Sequence, residues 1–318
     1  MDDLSRFLAD VHKEVLPETD GQVASYIPSL AQADPDPFGI ALATVDGQLH
    51  TAGDSEISFS LQSISKPLTY ALALMESGFE AVDAVVDVEP SGEAYNRISL
   101  ENETGRPANA LINAGAIAST SLLPSGGRMS RLLHFYGQLA GRRLHADAQI
   151  AMEELEGGHR NLAMAHLLHS FGKLADEPVQ ATRDYCAACA TMVTTTDLAW
   201  IAATLANSGC HPGTGEQVID PLVVQRLLSV MTMSGMYDEA GWWMVRVGLP
   251  GKSGVGGGII AVAPGKLGLG VWSPRLNEHG SSVRGVRTCE IVSRELELHV
   301  MGSHRPPSED GLSAPTAS

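Results

Sequence analysis

Apolar residues follow two different periods near the start of the chain. Residues 2–15 place apolar side chains every three to four positions among charged ones, and Pro17 ends this pattern, which predicts an amphipathic helix. Residues 38–45 are apolar with several β-branched members, Asp46-Gly47 is a strong hairpin turn, and residues 48–53 return as a second strand. The chain is therefore expected to begin with a helix followed by two antiparallel strands.

Helical periods dominate the middle of the chain. A helix is predicted from Ser63 to about Met75. Further segments with this period are separated by Gly, Pro or Thr-Asp breaks, and they cover residues 129–140, 147–156, 161–174, 182–192, 197–206 and 222–231. Together they predict an all-helical insert between about residues 120 and 236.

Strand signals return after Tyr237. Strands are predicted at residues 242–247, 257–263 and 267–272, and a final helix at residues 281–296. The apolar stretch before Trp272 contains the turn Pro264-Gly265-Lys266, so it is interpreted as a β-hairpin and not as a membrane span. The tail 303–318 is rich in Pro, Ser and Gly and is expected to be disordered.

Strands from both ends of the chain, with helices between them, predict an α+β fold. Residues 1–302 are expected to form a single catalytic domain. Its sheet-containing part spans about residues 1–70 and 237–302, and its all-helical part spans about residues 71–236. A functional cleft is expected between the antiparallel sheet with its flanking helices and the helical subdomain.

Charge and length narrow the classes of partner. The chain has 318 residues, with 21 basic and 37 acidic side chains and a formal net charge of −16. This balance opposes electrostatic binding to nucleic acid or to an anionic membrane. A small molecule or another protein is therefore the expected partner.

The four cysteines do not form a cysteine-rich framework. They are expected to be reduced thiols in a cytoplasmic protein, and the acidic, amphipathic N-terminus lacks the features of an export signal. Cys186-x-x-Cys189 lies in an alanine-rich helical pattern without a second pair, which favours core packing over zinc binding. The His166-x-x-His169 spacing is interpreted as a helix surface, and no metal is expected.

The strongest chemical signal is the sequence Gln62-Ser63-Ile64-Ser65-Lys66. A serine three residues before a lysine on one helix places an alcohol beside an amine, which can act as nucleophile and general base. The alternative is that a serine here only caps a helix whose first turn contains Lys66 and Pro67. The short motif alone does not decide between these interpretations.

A second lysine motif supports the catalytic interpretation. The chain has five lysines, and one of them lies in Lys252-Ser253-Gly254. Serine acyl-transfer enzymes of the penicillin-binding type combine Ser-x-x-Lys with such a triad on an edge strand, where a second cation lines the cleft. The glycines that follow, up to Gly258, are interpreted as room for close backbone approach.

Several further motifs make the resemblance specific. The chain resembles the serine-dependent glutaminase family, whose fold is similar to that of serine β-lactamases and penicillin-binding proteins. The matching stretches, which cover about residues 20–300, are 21–28 (GQVASYIP), 59–66 (FSLQSISK), 89–92 (EPSG), 113–117 (NAGAI), 160–161 (RN), 236–238 (MYD) and 248–258 (GLPGKSGVGGG). The resemblance implies an amidohydrolase acting on linear amides, which hydrolyses the side-chain amide of L-glutamine to L-glutamate and ammonia.

The resemblance also implies the roles of individual residues. Ser63 corresponds to the nucleophile and Lys66 to its base, while Tyr237 assists proton transfer and Tyr185 faces it across the pocket. The backbone N–H groups of Ser63 and Val255 correspond to the oxyanion hole. The substrate-binding positions fall on Tyr26, Gln62, Ser63, Asn113, Glu154, Asn161, Tyr185, Tyr237 and Val255.

These residue types suit an amino-acid substrate. Glu154 can pair with the ammonium of free glutamine, and Tyr26, Asn113 and Asn161 can hydrogen-bond its carboxylate. Taken without the resemblance, Glu154 belongs to an acidic run typical of solvated surface. On the same basis Asn113 could end a strand or cap a helix, and Tyr185 and Tyr237 could be core aromatic residues.

Two other functions compete with this hypothesis. A β-lactamase or D-peptidase-like acyl hydrolase would share Ser63, Lys66 and Lys252, but the absence of an export signal argues against it. A non-catalytic relative would have no chemical need for Ser63, Lys66, Tyr185 and Tyr237 together. The resemblance further implies a homo-oligomer, a tetramer or a dimer, that needs no metal or organic cofactor.

Overall fold

The structure is a computed structural model that describes residues 2–91, 100–101 and 103–302. The predicted disordered tail 303–318, and Gly92 of the 89–92 motif, lie outside the described residues. The helices are α1 (Asp3–Val15), α2 (Pro28–Ala31), α3 (Ser65–Ser77), α4 (Phe79–Asp83), α5 (Asn113–Leu122), α6 (Arg128–Ala140), α7 (Ala148–Gly157), α8 (His159–Ser170), α9 (Pro178–Cys189), α10 (Thr195–Ala206), α11 (Pro221–Ser234), α12 (Ala240–Arg246) and α13 (Val283–Glu295). Short 3-10 helices lie at Gln62–Ile64 and Tyr237–Glu239.

The strands form two antiparallel sheets. They are β1 (Gly39–Thr44), β2 (Leu49–Gly53), β3 (Phe59–Ser60), β4 (His145–Ala146), β5 (Thr191–Val193), β6 (Gly251–Ser253), β7 (Gly258–Ala263) and β8 (Leu267–Trp272). The larger sheet has the order β2-β1-β8-β7-β6, so both ends of the chain contribute strands to it. The smaller sheet has the order β3-β5-β4.

Side-chain size decides how each face of the larger sheet is covered. On β1, Ile40 and Leu42 belong to a core formed with α1 and α13, whereas Ala41 and Ala43 face α10. On β8, a Cβ atom at Gly268 would lie 2.0 Å from the backbone nitrogen of Ala203 in α10. Small residues on this face therefore allow α10 to pack directly against the sheet.

The predicted first helix, the β1–β2 and β7–β8 hairpins and the last helix agree with the structure, but the middle of the chain is not all-helical. The helix predicted over residues 182–192 was wrong at its C-terminal end, because α9 ends at Cys189 and Thr191–Val193 forms β5. Thr191 and Val193 are β-branched, and their side chains are stiff and pack well on a pleated surface. Ser63 lies within a 3-10 helix, and the α-helix proper begins at Ser65.

Two further predictions for single elements failed. The strand predicted over residues 242–247 was wrong, because this segment forms α12, whose one fully buried residue, Trp243, is followed four residues later by the buried Val247. The aromatic and β-branched composition resembles a strand, but the burial follows a helical spacing. Helix α5 was not predicted, because it is buried from Asn113 to Ser121 and so shows no amphipathic period.

Helices α3, α5, α6, α8, α9 and α11 pack around one another to form the largest hydrophobic core. Helix α3 lies at the centre of this group and starts directly after the 3-10 helix that contains Ser63. The nucleophile candidate therefore lies at the start of the central helix of this core. Across the residues that the structure describes, none of the helices has the length and apolar character needed to cross a membrane.

Candidate active site

A cavity of about 440 Å³ opens beside the N-terminal end of α3. Its lining comprises Tyr26, Ile27, Gln62, Ser63, Asn113, Glu153, Glu154, Gly157, Gly158, His159, Arg160, Asn161 and Tyr185. Most of the predicted site residues are in this set. Lys66, Tyr237 and Val255 do not line the cavity, and all three are buried.

Ser63 is presented by a strained backbone. It is buried within the 3-10 helix, and the preceding residue, Gln62, has a φ of 51°. A non-glycine residue in the left-handed region costs free energy and persists only where its surroundings fix it. The Gln62 side chain is also buried and donates from Nε2 to Ser60 Oγ at 3.2 Å. The position of Ser63 is therefore set by Gln62.

Lys66 lies one helical turn after Ser63 and is completely buried. Its Nζ donates to Asn113 Oδ1 at 2.6 Å. Burial lowers the pKa of Lys66 to about 8, against the opposing influence of Cys189 and Glu154. A substantial fraction of this amine is therefore neutral near physiological pH and able to accept a proton.

A chain of amide hydrogen bonds connects Lys66 to the cavity. Asn113 Oδ1, which accepts from Lys66, also accepts from the Tyr185 hydroxyl at 3.4 Å. Asn113 Nδ2 in turn donates to Asn161 Oδ1 at 2.9 Å. Asn113 is the first residue of α5, and Asn161 lies in the first turn of α8. The N-terminal ends of two helices therefore place these amides next to each other.

Glu154 is the acidic group of the cavity. It is 9 % exposed, and in the described part of the chain its Oε2 atom is buried without a hydrogen-bond partner. Burial raises the pKa of Glu154 to about 7, and Lys66 opposes this shift. The interpretation of Glu154 as solvated surface is thus wrong, although its neighbour Glu156 is exposed. A cavity-lining carboxylate with one oxygen that lacks a hydrogen-bond partner is suited to bind a cation.

The sheet approaches the segment that carries Ser63 through backbone atoms. A Cβ atom at Gly254 would lie 2.8 Å from the carbonyl oxygen of Leu61, and one at Gly256 would lie 2.5 Å from that of Ser60. Only glycine permits this approach, as predicted from the sequence. Val255 lies between these two glycines, so its backbone is next to the segment that carries Ser63.

Lys252 does not have the position expected from penicillin-binding enzymes. It is fully buried in β6 and does not line the cavity. Its Nζ donates to the carbonyl oxygen of Ser253 at 2.7 Å and lies 3.8 Å from the centroid of the Tyr237 ring. The Tyr237 hydroxyl donates to the same carbonyl oxygen at 3.1 Å. The second lysine therefore contacts Tyr237 and not the cleft.

Sequence reasoning did not select several cavity residues. These are Ile27, Glu153, Gly157, Gly158, His159 and Arg160. Ile27, Glu153 and Arg160 adjoin predicted residues in the chain. The stretch from Glu153 to Arg160 spans the junction between α7 and α8. Because Glu154 and Asn161 flank this junction, a shared lining could have been inferred from that spacing.

The fold and the cavity together have the features of a serine acyl hydrolase with a β-lactamase-like fold. A buried Ser-x-x-Lys pair begins the central helix, and a Lys-Ser-Gly triad lies on the edge strand β6. Among serine enzymes this combination serves acyl transfer.

Comparisons with known proteins identify the family. The glutaminase family model matches residues 21–301. A glutaminase of Corynebacterium glutamicum is 47 % identical over 307 residues, which is 95 % of this chain and 74 % of the relative. A crystal structure of Mglu in its glutamate form superposes with a TM-score of 0.92 at 47 % identity, covering 96 % of this chain and 71 % of that one. A probable glutaminase of Bacillus subtilis superposes with a TM-score of 0.87 at 34 % identity, covering 93 % and 97 %.

The chain belongs to the glutaminase family. The predicted family and α+β fold class are therefore confirmed.

Proposed function

We propose that this protein hydrolyses the side-chain amide of L-glutamine to L-glutamate and ammonia through an acyl-enzyme on Ser63. The observation that carries the proposal is that Glu154 and Ser63 line one cavity of about 440 Å³. The cavity offers a buried carboxylate and a serine beside a lysine, which suit a small molecule with an ammonium at one end and an amide at the other. Membership of the glutaminase family supports the same substrate.

In the acylation step, neutral Lys66 accepts the proton of the Ser63 hydroxyl as its oxygen attacks the amide carbon. The carbonyl oxygen becomes an oxyanion, which the backbone N–H groups of Ser63 and Val255 stabilise. The C–N bond then breaks, and the leaving amine takes the proton from Lys66 to form ammonia, which leaves Lys66 neutral again. Tyr237 assists these proton transfers. Asn113 holds the Lys66 amine in place through the hydrogen bond at 2.6 Å.

In the deacylation step, water attacks the ester carbonyl from the solvent-connected cavity. Its proton passes to Lys66, and the ester bond to Ser63 Oγ breaks to release L-glutamate. The serine regains its proton from Lys66, so the enzyme returns to its starting state. Both half-reactions use the same oxyanion hole.

Substrate recognition uses the two charged groups of free glutamine. Glu154 pairs with the ammonium, and this pairing replaces water lost on burial. Asn161 and Tyr26 donate to the carboxylate, and Gln62 and Tyr185 complete the wall around the side chain. Tyr26 is 54 % exposed and lies at the mouth, where it can cover the bound substrate. Because both charged groups are needed, peptides and proteins are excluded.

Three broader expectations accompany this function. Residues 1–302 act as a single catalytic domain, with the site between the sheet-containing and helical parts. The protein works in the cytoplasm as a homo-oligomer, a tetramer or a dimer. Its reaction requires only the side chains named above and water.

The proposal is tested by ammonia release from L-glutamine and L-asparagine and by turnover of a chromogenic β-lactam, with Ser63→Ala as control. Glutamine turnover that disappears in Ser63→Ala is the expected result. Turnover of the β-lactam alone would replace the proposal with the β-lactamase-like alternative. Inactivity on all three compounds would favour a non-catalytic relative.

A further inference from the structure

A compact unit is formed by Lys252, Tyr237 and the carbonyl group of Ser253. None of these three residues lines the cavity. The Lys252 amine lies against the face of the Tyr237 ring, 3.8 Å from its centroid. Ser253 O accepts from Lys252 Nζ at 2.7 Å and from the Tyr237 hydroxyl at 3.1 Å. The amine therefore packs against the face of the ring, and the shared carbonyl oxygen holds the hydroxyl at its edge.

This unit lies directly beside the nucleophile segment. Ser253 is followed by Gly254, which packs against the carbonyl oxygen of Leu61 and against Gln62 and Ile64. Ser63 lies between these last two residues in the chain. A shift of the Tyr237 hydroxyl would therefore move Ser253 and, through Gly254, the segment that carries Ser63.

The unit contains two unfavourable features, the buried side chain of Lys252 and the backbone conformation of Tyr237. Within the described residues, Lys252 forms no ion pair with an acidic side chain and is 0 % exposed. Burial lowers the pKa of Lys252 well below its usual range, and Lys66 lowers it further. Tyr237 has a φ of 57°, in the left-handed region. An apolar residue at position 252 would avoid the desolvation of an amine, so stability alone does not explain the lysine.

We infer that Lys252 is a positioning residue that acts on catalysis through Tyr237, by holding the phenol ring and hydroxyl in place beside Ser63. This inference rests on the proposed role of Tyr237 in proton transfer. In this role Lys252 differs from a cation that lines the cleft, because its side chain does not line the cavity. The inference also differs from a packing role, since it predicts loss of rate without loss of stability.

The test is a double-mutant cycle with Lys252→Met, Tyr237→Phe and the double variant, measured for kcat and KM with L-glutamine. Methionine keeps the length of the lysine stem but removes the amine. Each single variant is expected to lower kcat by about a hundredfold while KM changes by less than about threefold. The double variant is expected to be no slower than Tyr237→Phe, because the inference places the effect of Lys252 on Tyr237.

Two further measurements make the test specific. Thermal unfolding of Lys252→Met is expected at the wild-type midpoint or above, whereas a packing role predicts a lower one. Labelling of Ser63 by a fluorophosphonate probe, followed by intact-protein mass, repeats the cycle without glutamine. Lys266→Met, which changes an exposed lysine in the β7–β8 turn, is the matched control and is expected to behave as wild type.

Effects that multiply in the double variant would overturn the inference, as would wild-type kcat in Lys252→Met. Failure of Lys252→Met to fold would also overturn it, because the inference requires an apolar side chain to be tolerated. A wild-type protein that labels on Ser63 but does not release ammonia from glutamine would contradict the proposed function alone. The labelling cycle would then still decide the role of Lys252.

Discussion

The two sides of the candidate active site are built in different ways. The helical side consists of Lys66, Asn113, Glu154, Asn161 and Tyr185, whose side chains form a hydrogen-bonded and charged set. The sheet side consists of Tyr237, Lys252, Ser253 and residues 254–256, and its contacts to the nucleophile segment run through backbone atoms. Side chains therefore make the contacts of the helical side, whereas backbone atoms bring the sheet side against the segment that carries Ser63.

The largest effect is expected where the two sides meet, at Ser63. Ser63→Ala removes the nucleophile and is expected to lower kcat/KM for L-glutamine by at least about 10⁴-fold, leaving only residual stabilisation by the site. Ammonia release measures the loss, and an unchanged thermal midpoint shows that the fold is retained. Activity within tenfold of wild type would mean that another group attacks the amide.

On the sheet side, a single methyl group is expected to disable the site. In Gly256→Ala the new Cβ atom would lie 2.5 Å from the carbonyl oxygen of Ser60, so the Val255 backbone must move away from Ser63. We expect kcat to fall about 10²- to 10³-fold, the range for loss of an oxyanion donor. Gly126→Ala, where the added atom meets nothing within 4 Å, is the control. Equal activity of the two variants would contradict the role of backbone geometry.

On the helical side, a change of charge without a change of shape is expected to act mainly on binding. Glu154→Gln keeps the volume of the side chain but removes the partner of the substrate ammonium. We expect kcat/KM to fall about 10²-fold, mostly through KM. Glu156→Gln alters an exposed carboxylate two residues later and is expected to have no effect. A KM unchanged in Glu154→Gln would refute the pairing.

The pH dependence reports the charge states of the helical side. Lys66, with a pKa of about 8, accepts a proton only when neutral, and Glu154, with a pKa of about 7, binds a cation only when ionised. Therefore kcat/KM is expected to rise with pH through 7 to 8. Because Glu154 raises the pKa of Lys66, Glu154→Gln is expected to move this limb to lower pH. If the rising limb of the profile stays at the same pH in Glu154→Gln, the result would argue against electrostatic coupling between Glu154 and Lys66.

The smallest effect concerns stability. The pKa of Glu154 in the folded protein is about 7, above the ordinary value of 4.5 for a glutamate, so the carboxyl group contributes most to stability when protonated. This contribution is present below pH 4.5 and is lost as pH rises through about 7. Glu154→Gln is therefore expected to raise the thermal midpoint by roughly 2 °C more at pH 8 than at pH 4. An equal change of the thermal midpoint at both pH values would contradict the raised pKa of the buried Glu154 carboxyl group.

The helical side shows how much of the site a sequence can specify. The Ser63–Lys66 spacing predicted an alcohol and an amine on adjacent turns, because helix geometry fixes that relation locally. The burial of Glu154 could not be predicted from composition, because its acidic neighbours give the pattern of a solvated helix. Only the resemblance to a family singled it out. Burial there depends on the packing of α9 against α7, which is a tertiary relation.

The sheet side shows where local patterns fail. The glycines after Ser253 predicted close backbone approach, and the hairpin of β7 and β8 followed from its turn. The position of Lys252 under Tyr237 could not be predicted, because it depends on where α11 and the following 3-10 helix place the tyrosine relative to β6. The nearby helix α12 was predicted as a strand for a related reason. Its aromatic and β-branched residues favour a strand, and tertiary packing overrides that preference.

The central claim is that Ser63 forms a covalent bond with the carbonyl carbon of glutamine. It is tested most directly by peptide mass spectrometry after reaction with a diazoketone analogue of L-glutamine, which traps the attacking group. We predict attachment at Ser63, protection by excess L-glutamine, and no attachment in Ser63→Ala. Attachment at another residue, or continued glutamine turnover with Ser63 unmodified by saturating analogue, would contradict the account.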